Sequence, residues 1–215
     1  MQIGIFFLLK IMGIKVAIQG IQGSFHHQVA HHYFGEAIGL DECVTFRDVV
    51  TSLKTNQSDK AIMALENSIA GSILPNYALI DSNDLHIIGE YFLDIHMNLM
   101  VFPGQTIEEI QEVHSHPIAL LQCANFFSQY PHIKLVESSD TAITAKRIQE
   151  NQLKGIGALA GPVASEIYNL EIIADGIHTV KSNKTRFVVL KASNKEIPKE
   201  LINKASIKFE LDDTP

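Results

Sequence analysis

Arginine is scarce: of 215 residues only Arg47, Arg147 and Arg186 carry a guanidinium. Any anionic ligand must therefore be held by few cations, together with backbone N–H groups, hydroxyls and amides. Lysine and arginine total 17 against 24 aspartates and glutamates, a formal charge of −7, which is the wrong sign for a protein that coats nucleic acid. Cysteine is scarcer still. Cys43 and Cys123 have no CxxC partner, and they suit buried thiols in a reducing cytoplasm rather than a disulfide framework. No apolar run approaches the roughly twenty residues that a bilayer span needs. The longest candidate, Ile3 to Met12, is interrupted by Lys10 and has no basic start, so it fits neither a span nor a secretory signal. Residues 1–13 are read as an extension, with Met12-Gly13 offering a second start, and no membrane contact is expected. No Gly-X-Y, heptad or internal repeat runs through the chain.

What is present is an ordinary globular balance, 46% apolar and 19% charged. From Lys15 onward short apolar runs alternate with helical patterns, which points to α/β with mostly parallel strands. Strands are expected at 15–19, 44–46, 60–66, 112–115, 133–138, 156–160, 171–175 and 185–190. Two nearly continuous strands are expected over 85–92 and 93–102. Helices are expected from Gln28 to Phe34, through Val49 to Leu53, through Leu120 to Phe127, and over 140–151 and 162–169. The long strands divide the chain into two similar lobes, about 14–92 with 177–191 and about 93–176. Two crossings between lobes make a cleft, a usual place for a small ligand. Residues 192–204, polar and containing Pro198, read as a linker. Residues 205–215 begin a new strand, which reads as the first piece of a further domain.

Several constellations carry chemistry, each with a plain structural alternative. Gly20-Ile21-Gln22-Gly23-Ser24 follows a strand and opens a helix, a turn that favours an anion, or a simple βα turn with Ser24 as N-cap. Gly155-Ile156-Gly157-Ala158-Leu159-Ala160 matches GxGxxA, but the apolar strand lies inside the motif rather than before it, so a dinucleotide site is a poor reading. His26, His27, His31 and His32 share one helix without a completing carboxylate or cysteine, and a solvated helix face is expected there rather than a metal. Glu66-Asn67-Ser68 ends a buried strand, Ser115 ends another, Gln122 lies on the helix after it, and Thr141 opens a third helix. Polar groups at strand ends facing one cleft make the default binding site. Thr185-Arg186-Phe187 begins the last strand, with Arg186 on the face opposite Thr185 and Phe187.

Taken in order, K-V-A-I-Q-G…G-S-F (15–25), A-L-E-N-S-I-A-G-S-I (64–73), L-H-I-I-G-E (85–90), S-H-P-x-A-L-x-Q-C (115–123), S-D-T-A (139–142), A-L-A-G-P-x-A-S-E-I-Y-N-L (158–170) and N-K-T-R-F (183–187) resemble the prephenate dehydratase family over about residues 14–191. The resemblance implies two α/β lobes of the type II periplasmic-binding kind with the active site between them. It implies loss of CO₂ and water from prephenate to give phenylpyruvate, on the route to phenylalanine, with no metal or cofactor because aromatisation drives the step. Thr185 falls on the family's threonine and would donate to the departing hydroxyl. Glu66, Asn67, Ser68, Ser115, Gln122, Thr141 and Ser24 would bind substrate, with Arg186 as the nearby cation and Phe187 as a wall for the ring. His26 stands where many members have a small hydroxyl residue. Residues 205–215 resemble the first strand of the family's phenylalanine-binding ACT domain. Prephenate is the expected partner, in a cytoplasmic homo-oligomer that binds no nucleic acid. Arogenate dehydration and non-catalytic binding of a small carboxylate are the alternatives.

Overall fold

The computed structural model describes residues 13–192, 203–205, 207 and 209. The expected N-terminal extension, most of the linker and most of the strand at 205–215 lie outside the described residues. Helices start where a side chain can take up unpaired backbone N–H groups. Ser24 accepts from His27 N–H at the head of α1 (Phe25–Phe34), and Gly35, at φ 83°, ends it. Thr45 and Asp48 form a reciprocal capping box at α2 (Phe46–Lys54). That box overturns the strand expected at 44–46: Thr45 is a helix cap and Val44 is 84% exposed. The strand itself is β2 (Gly39–Cys43), following β1 (Lys15–Gln19).

After β3 (Lys60–Asn67) and the two-residue β4 (Gly71–Ser72) comes α3 (Leu74–Ser82), a helix whose sequence gives no amphipathic signal. The long apolar stretch that follows breaks at Ile95–Met97 into β5 (His86–Asp94) and β6 (Asn98–Val101). β7 (Glu112–Ser115) leads to the helix expected through Leu120–Phe127, which breaks at Cys123 into α4 (Pro117–Gln122) and α5 (Ala124–Phe127). Then come β8 (Lys134–Glu137), α6 (Thr141–Asn151), β9 (Ile156–Ala160), α7 (Pro162–Tyr168), β10 (Glu171–Ala174) and β11 (Lys184–Lys191).

The strands form two sheets, ordered β2-β1-β3-β11-β5 (with β4 beside β3) and β10-β6-β9-β7-β8. In the first, β2, β1, β3 and β5 run one way and only β11 and the short β4 run against them. In the second, β8, β7, β9 and β10 run together and β6 opposes them. Counted from the parallel end, the two sheets have the same order, and in each the inserted antiparallel strand is the one arriving from the other lobe. This is the two-lobed, mostly parallel arrangement expected above.

The two crossings lie side by side. Ile95 N–H donates to Asn183 O at 2.8 Å, Ile177 N–H to Met97 O at 2.8 Å, and Met97 N–H to His178 Nδ1 at 3.3 Å. One apolar cluster runs through them, joining Val16, Ile62 and Phe187 of the first lobe to Leu99, Val113 and Leu159 of the second. Continuous burial through the junction resists free swinging of one lobe against the other. Separate clusters lie beneath α2 and α3 and beneath α6 and α7.

Candidate active site

Thr185 lies near the start of β11, paired with Asn67 on β3 and Leu93 on β5. Its side chain is 8% exposed, and Asn67 Nδ2 donates to its Oγ1 at 2.9 Å. The same nitrogen donates to Asn183 Oδ1 at 2.7 Å, and Asn183 Nδ2 donates to Gln122 Oε1 at 3.0 Å. Asn67 Oδ1 is held by the backbone N–H groups of Ile69 and Ala70 at 3.0 and 2.9 Å. Gln122 belongs to the second lobe, so this chain of amides ties the lobes together at the base of the cleft. Asn183, fully buried, was not among the residues singled out from the sequence. The signal was there: it opens the N-K-T-R-F block.

Other expected residues are set elsewhere. Arg186↔Glu66 is followed by Phe187↔Ala64, which leaves Leu65 as an extra residue on β3. Such a bulge re-aims a side chain. Glu66 faces Arg186 (Nη1 to Oε1, 3.4 Å) and accepts from the Tyr77 hydroxyl, while Arg186 Nε donates to Glu90 at 3.0 Å. This ion-pair group lies on the face of β11 away from Thr185, as strand alternation requires. Phe187 is 2% exposed and meets the His26 ring edge-on with centroids 5.0 Å apart; it packs the core rather than lining the cleft. Ser68 Oγ accepts from Lys184 N–H at 2.9 Å and donates to Ser182 O at 3.2 Å, clasping the loop before β11. Buried Ser115 donates to Leu159 O at 2.6 Å, joining the ends of β7 and β9.

Across the cleft the α1 and α6 N-termini approach each other at Gly20. A Cβ there would sit 2.9 Å from Asp140 Oδ2 and 3.2 Å from Ser24 Cβ, and φ is +96°, so glycine is required on both counts. Asp140 caps α6 through Oδ1, accepting from Ala142 N–H at 2.7 Å and Ile143 N–H at 3.3 Å, with Thr141 buried beside it. Burial raises the Asp140 carboxyl above its ordinary range, partly opposed by those two bonds. Gly161, at the head of α7, abuts Phe25: a Cβ there would lie 2.8 Å from the ring. Tyr168 donates its hydroxyl to Gln22 O at 2.7 Å. These contacts close the second lobe on the first around the Gly20–Phe25 turn. The positive ends of two long helices meet here, and the Ser24 hydroxyl and the Asp140 carboxylate already supply the acceptors that such ends favour.

The four-histidine face is solvated only in part: His32 is exposed and His31 half-buried, but His26 and His27 are buried. His26 is buried between Phe46 and Phe187 and accepts Ala64 N–H at Nε2, and burial pushes its pKa down to about 3. His27 is buried too, with its pKa lowered to about 4 by burial and then by His31. Among the described residues no group of three or more His, Cys, Asp or Glu could hold a metal ion. Two concavities, of about 430 and 830 Å³, lie beside Phe126 and Lys181 and between α1 and α7, away from Thr185. No helix among the described residues is long and apolar enough to cross a membrane.

Fold and cleft together define a two-lobed α/β protein whose lobes are joined by a network of buried side-chain amides. The family model for prephenate dehydratase matches residues 16–195. The bifunctional chorismate mutase/prephenate dehydratase of Buchnera aphidicola is 31% identical over 204 residues, covering 93% of this chain and 53% of that protein. Arogenate dehydratase 2 of Petunia hybrida is 35% identical over 203 residues, covering 94% of this chain and 51% of that protein. Among solved structures, the prephenate dehydratase of Arthrobacter aurescens in complex with L-Phe superposes with a TM-score of 0.75 at 23% identity, over 83% of this chain and 60% of that one. A protein described as GqqA, a novel type of quorum quenching acylase, gives 0.75 at 27%, over 86% of this chain and 66% of that one. The chain belongs to the prephenate dehydratase family. It spans about half the length of the curated relatives it matches.

Proposed function

We propose that residues 14–191 form a catalytic unit that converts prephenate to phenylpyruvate. The observation that carries this reading is the Thr185 hydroxyl: buried, held by Asn67 as an acceptor, and with no acceptor for its own proton among the described residues. In the reaction the ring carboxylate leaves as CO₂, and its C–C bonding pair enters the ring as the ring hydroxyl departs. The departing hydroxide takes a proton to become water. Thr185 donates a hydrogen bond to that oxygen as charge develops on it, a contribution that grows toward the transition state. The Gln122 amide, held at its oxygen by Asn183, offers its NH₂ as a donor for a substrate carboxylate. Arg186 is engaged by Glu66 and Glu90 on the far face, so neutral donors carry more of the anion binding than cations do.

Arogenate differs from prephenate by an amino group in place of the keto oxygen, and relatives at 35% identity are named arogenate dehydratases, so both substrates belong in the test. Incubated with prephenate, the chain should form phenylpyruvate, read by its absorbance; with arogenate, any phenylalanine is read by chromatography. Turnover of neither compound overturns the reading. A cytoplasmic setting fits the free thiols of Cys43 and Cys123, raised by burial to about 11 and 12 and so unreactive. A homo-oligomer is part of the same proposal, supported by exposed apolar side chains such as Leu74, Phe92 and Leu121.

A further inference from the structure

The hydrogen-bond chain has a direction, and the direction is set at one end. Backbone N–H groups can only donate, so Ile69 and Ala70 fix the oxygen of the Asn67 amide toward themselves. Its nitrogen must then face the other way, where both protons are used, one on Asn183 Oδ1 and one on Thr185 Oγ1. Because Asn183 accepts at Oδ1, its nitrogen faces Gln122 and donates to Oε1. Gln122 therefore presents its own NH₂ away from the chain, and Thr185, already accepting, turns its proton away from Asn67. Neither group finds an acceptor among the described residues. Two unspent donors, one from each lobe, result from a single polarity.

Asn183 is the joint between them. It is fully buried, its backbone oxygen accepts Ile95 N–H from the first crossing, and the backbone oxygen of Gln122 accepts Thr179 N–H from the second. We propose that Asn183 is a positioning residue: it holds the Gln122 amide with its NH₂ toward the cleft and completes the fixing of Asn67, and so of the Thr185 proton. The inference rests on reading the cleft as the prephenate site. An oxygen-rich dianion needs donors at both ends, and an inverted glutamine would offer it an oxygen instead.

Asn183→Asp is the discriminating variant. It keeps the size and still accepts from Asn67, but its carboxylate cannot donate to Gln122, whose amide must turn over. KM for prephenate should rise about tenfold, the scale of one hydrogen bond lost or reversed, with kcat changing about threefold or less. In a Gln122→Ala background the same substitution should add less than about twofold, because the residue it acts through is gone. Equal effects in both backgrounds, or an unchanged KM, overturn the proposal. A second measurement needs no variant. In the parent protein the side-chain amide protons of Asn67 and Asn183 should exchange slowly with solvent and those of Gln122 quickly, by NMR. Fast exchange at Asn183 overturns the network whether or not the variant folds. Failure of the parent to turn over either substrate strikes the functional reading instead, and the exchange result then judges the network alone.

Discussion

Replacing Thr185 by alanine removes one oxygen from a wall of the cleft and leaves the strand that carries it intact. Two consequences differ in size. In the fold the hydroxyl accepts one bond from Asn67, and Lys184 O lies 3.4 Å from the same nitrogen as a partial substitute. The loss to stability is therefore about 1 kcal/mol, or roughly 2–4 °C in Tm for a chain of this length. In the reaction, a positioned donor to a departing oxygen is typically worth ~10²–10⁴ in rate. That corresponds to roughly 3–5 kcal/mol of barrier at about 1.4 per tenfold. The rate loss exceeds the stability loss several-fold, so the two are separable in one preparation. The assay is phenylpyruvate formation across a range of prephenate concentrations, with circular dichroism melts on the same samples. Thr185→Ala should lower kcat by about 10²–10⁴ with KM within about threefold of the parent, the pattern of an interaction made mainly in the transition state. Thr185→Ser retains the hydroxyl but loses the methyl that stiffens χ1, and should keep its rate within about tenfold. Near-parental turnover by Thr185→Ala would refute the argument and reduce the threonine to a strand entry.

Gly161→Ala isolates lobe approach from backbone strain, because φ there is −69° and any residue can adopt it. The added methyl meets Phe25, so KM should rise several-fold while Tm moves by only about 2 °C; an unchanged KM would show that the lobes need not come this close. Phe187→Ala removes a buried ring from the shared core and should cost about 3–5 kcal/mol, visible as a large fall in Tm, whereas a ring that only lined the cleft would raise KM and spare stability. Acid should destabilise the protein ahead of its carboxylates. His26 and His27 have folded pKa values near 3 and 4 against about 6.5 in an unfolded chain. Between those limits the unfolded chain takes up protons that the folded one refuses, so stability falls as pH drops from about 6.5 toward 4. His26→Gln should flatten part of that slope in melts across pH, and a flat parental profile would contradict the burial described for His26.

Much of the architecture was legible because its central strands are buried on both faces and read as unbroken apolar runs: Lys15–Gln19, Lys60–Asn67 and Ile156–Ala160. β2, with sequence GLDEC, lies at a sheet edge and carries two acids, so no apolar pattern marks it, and the expected strand slid onto its neighbour. α3 was invisible because its apolar residues do not repeat with the helical period. Of the site, Asn67, Gln122 and Thr185 could be named from short blocks and are gathered into one network. The direction of Glu66 could not be read, since it depends on one extra residue, Leu65, in the pairing of two strands far apart in sequence. Nor could the burial of Phe187, which is decided by His26 arriving from another element. Asn183 stands inside the N-K-T-R-F block, but its role depends on Asn67 and Gln122, which reach it from far away in sequence.

The position of β11 has a consequence for how the molecule comes to be made. It is the inserted strand of the first sheet, bonded to β3 on one side and β5 on the other, yet residues 95–183 are synthesised between those two strands and it. Until residue 190 has left the ribosome, β3 and β5 each present an open edge, the kind of surface on which chains pair wrongly. The second lobe is continuous in sequence from β6 to β10 and can form without waiting. The first lobe must hold its gap open across some ninety residues and then admit the strand that bears Thr185. The cleft is thus the last part of the two lobes to be completed, and a nascent chain stopped short of Thr185 lacks both that side chain and the strand that closes the first sheet.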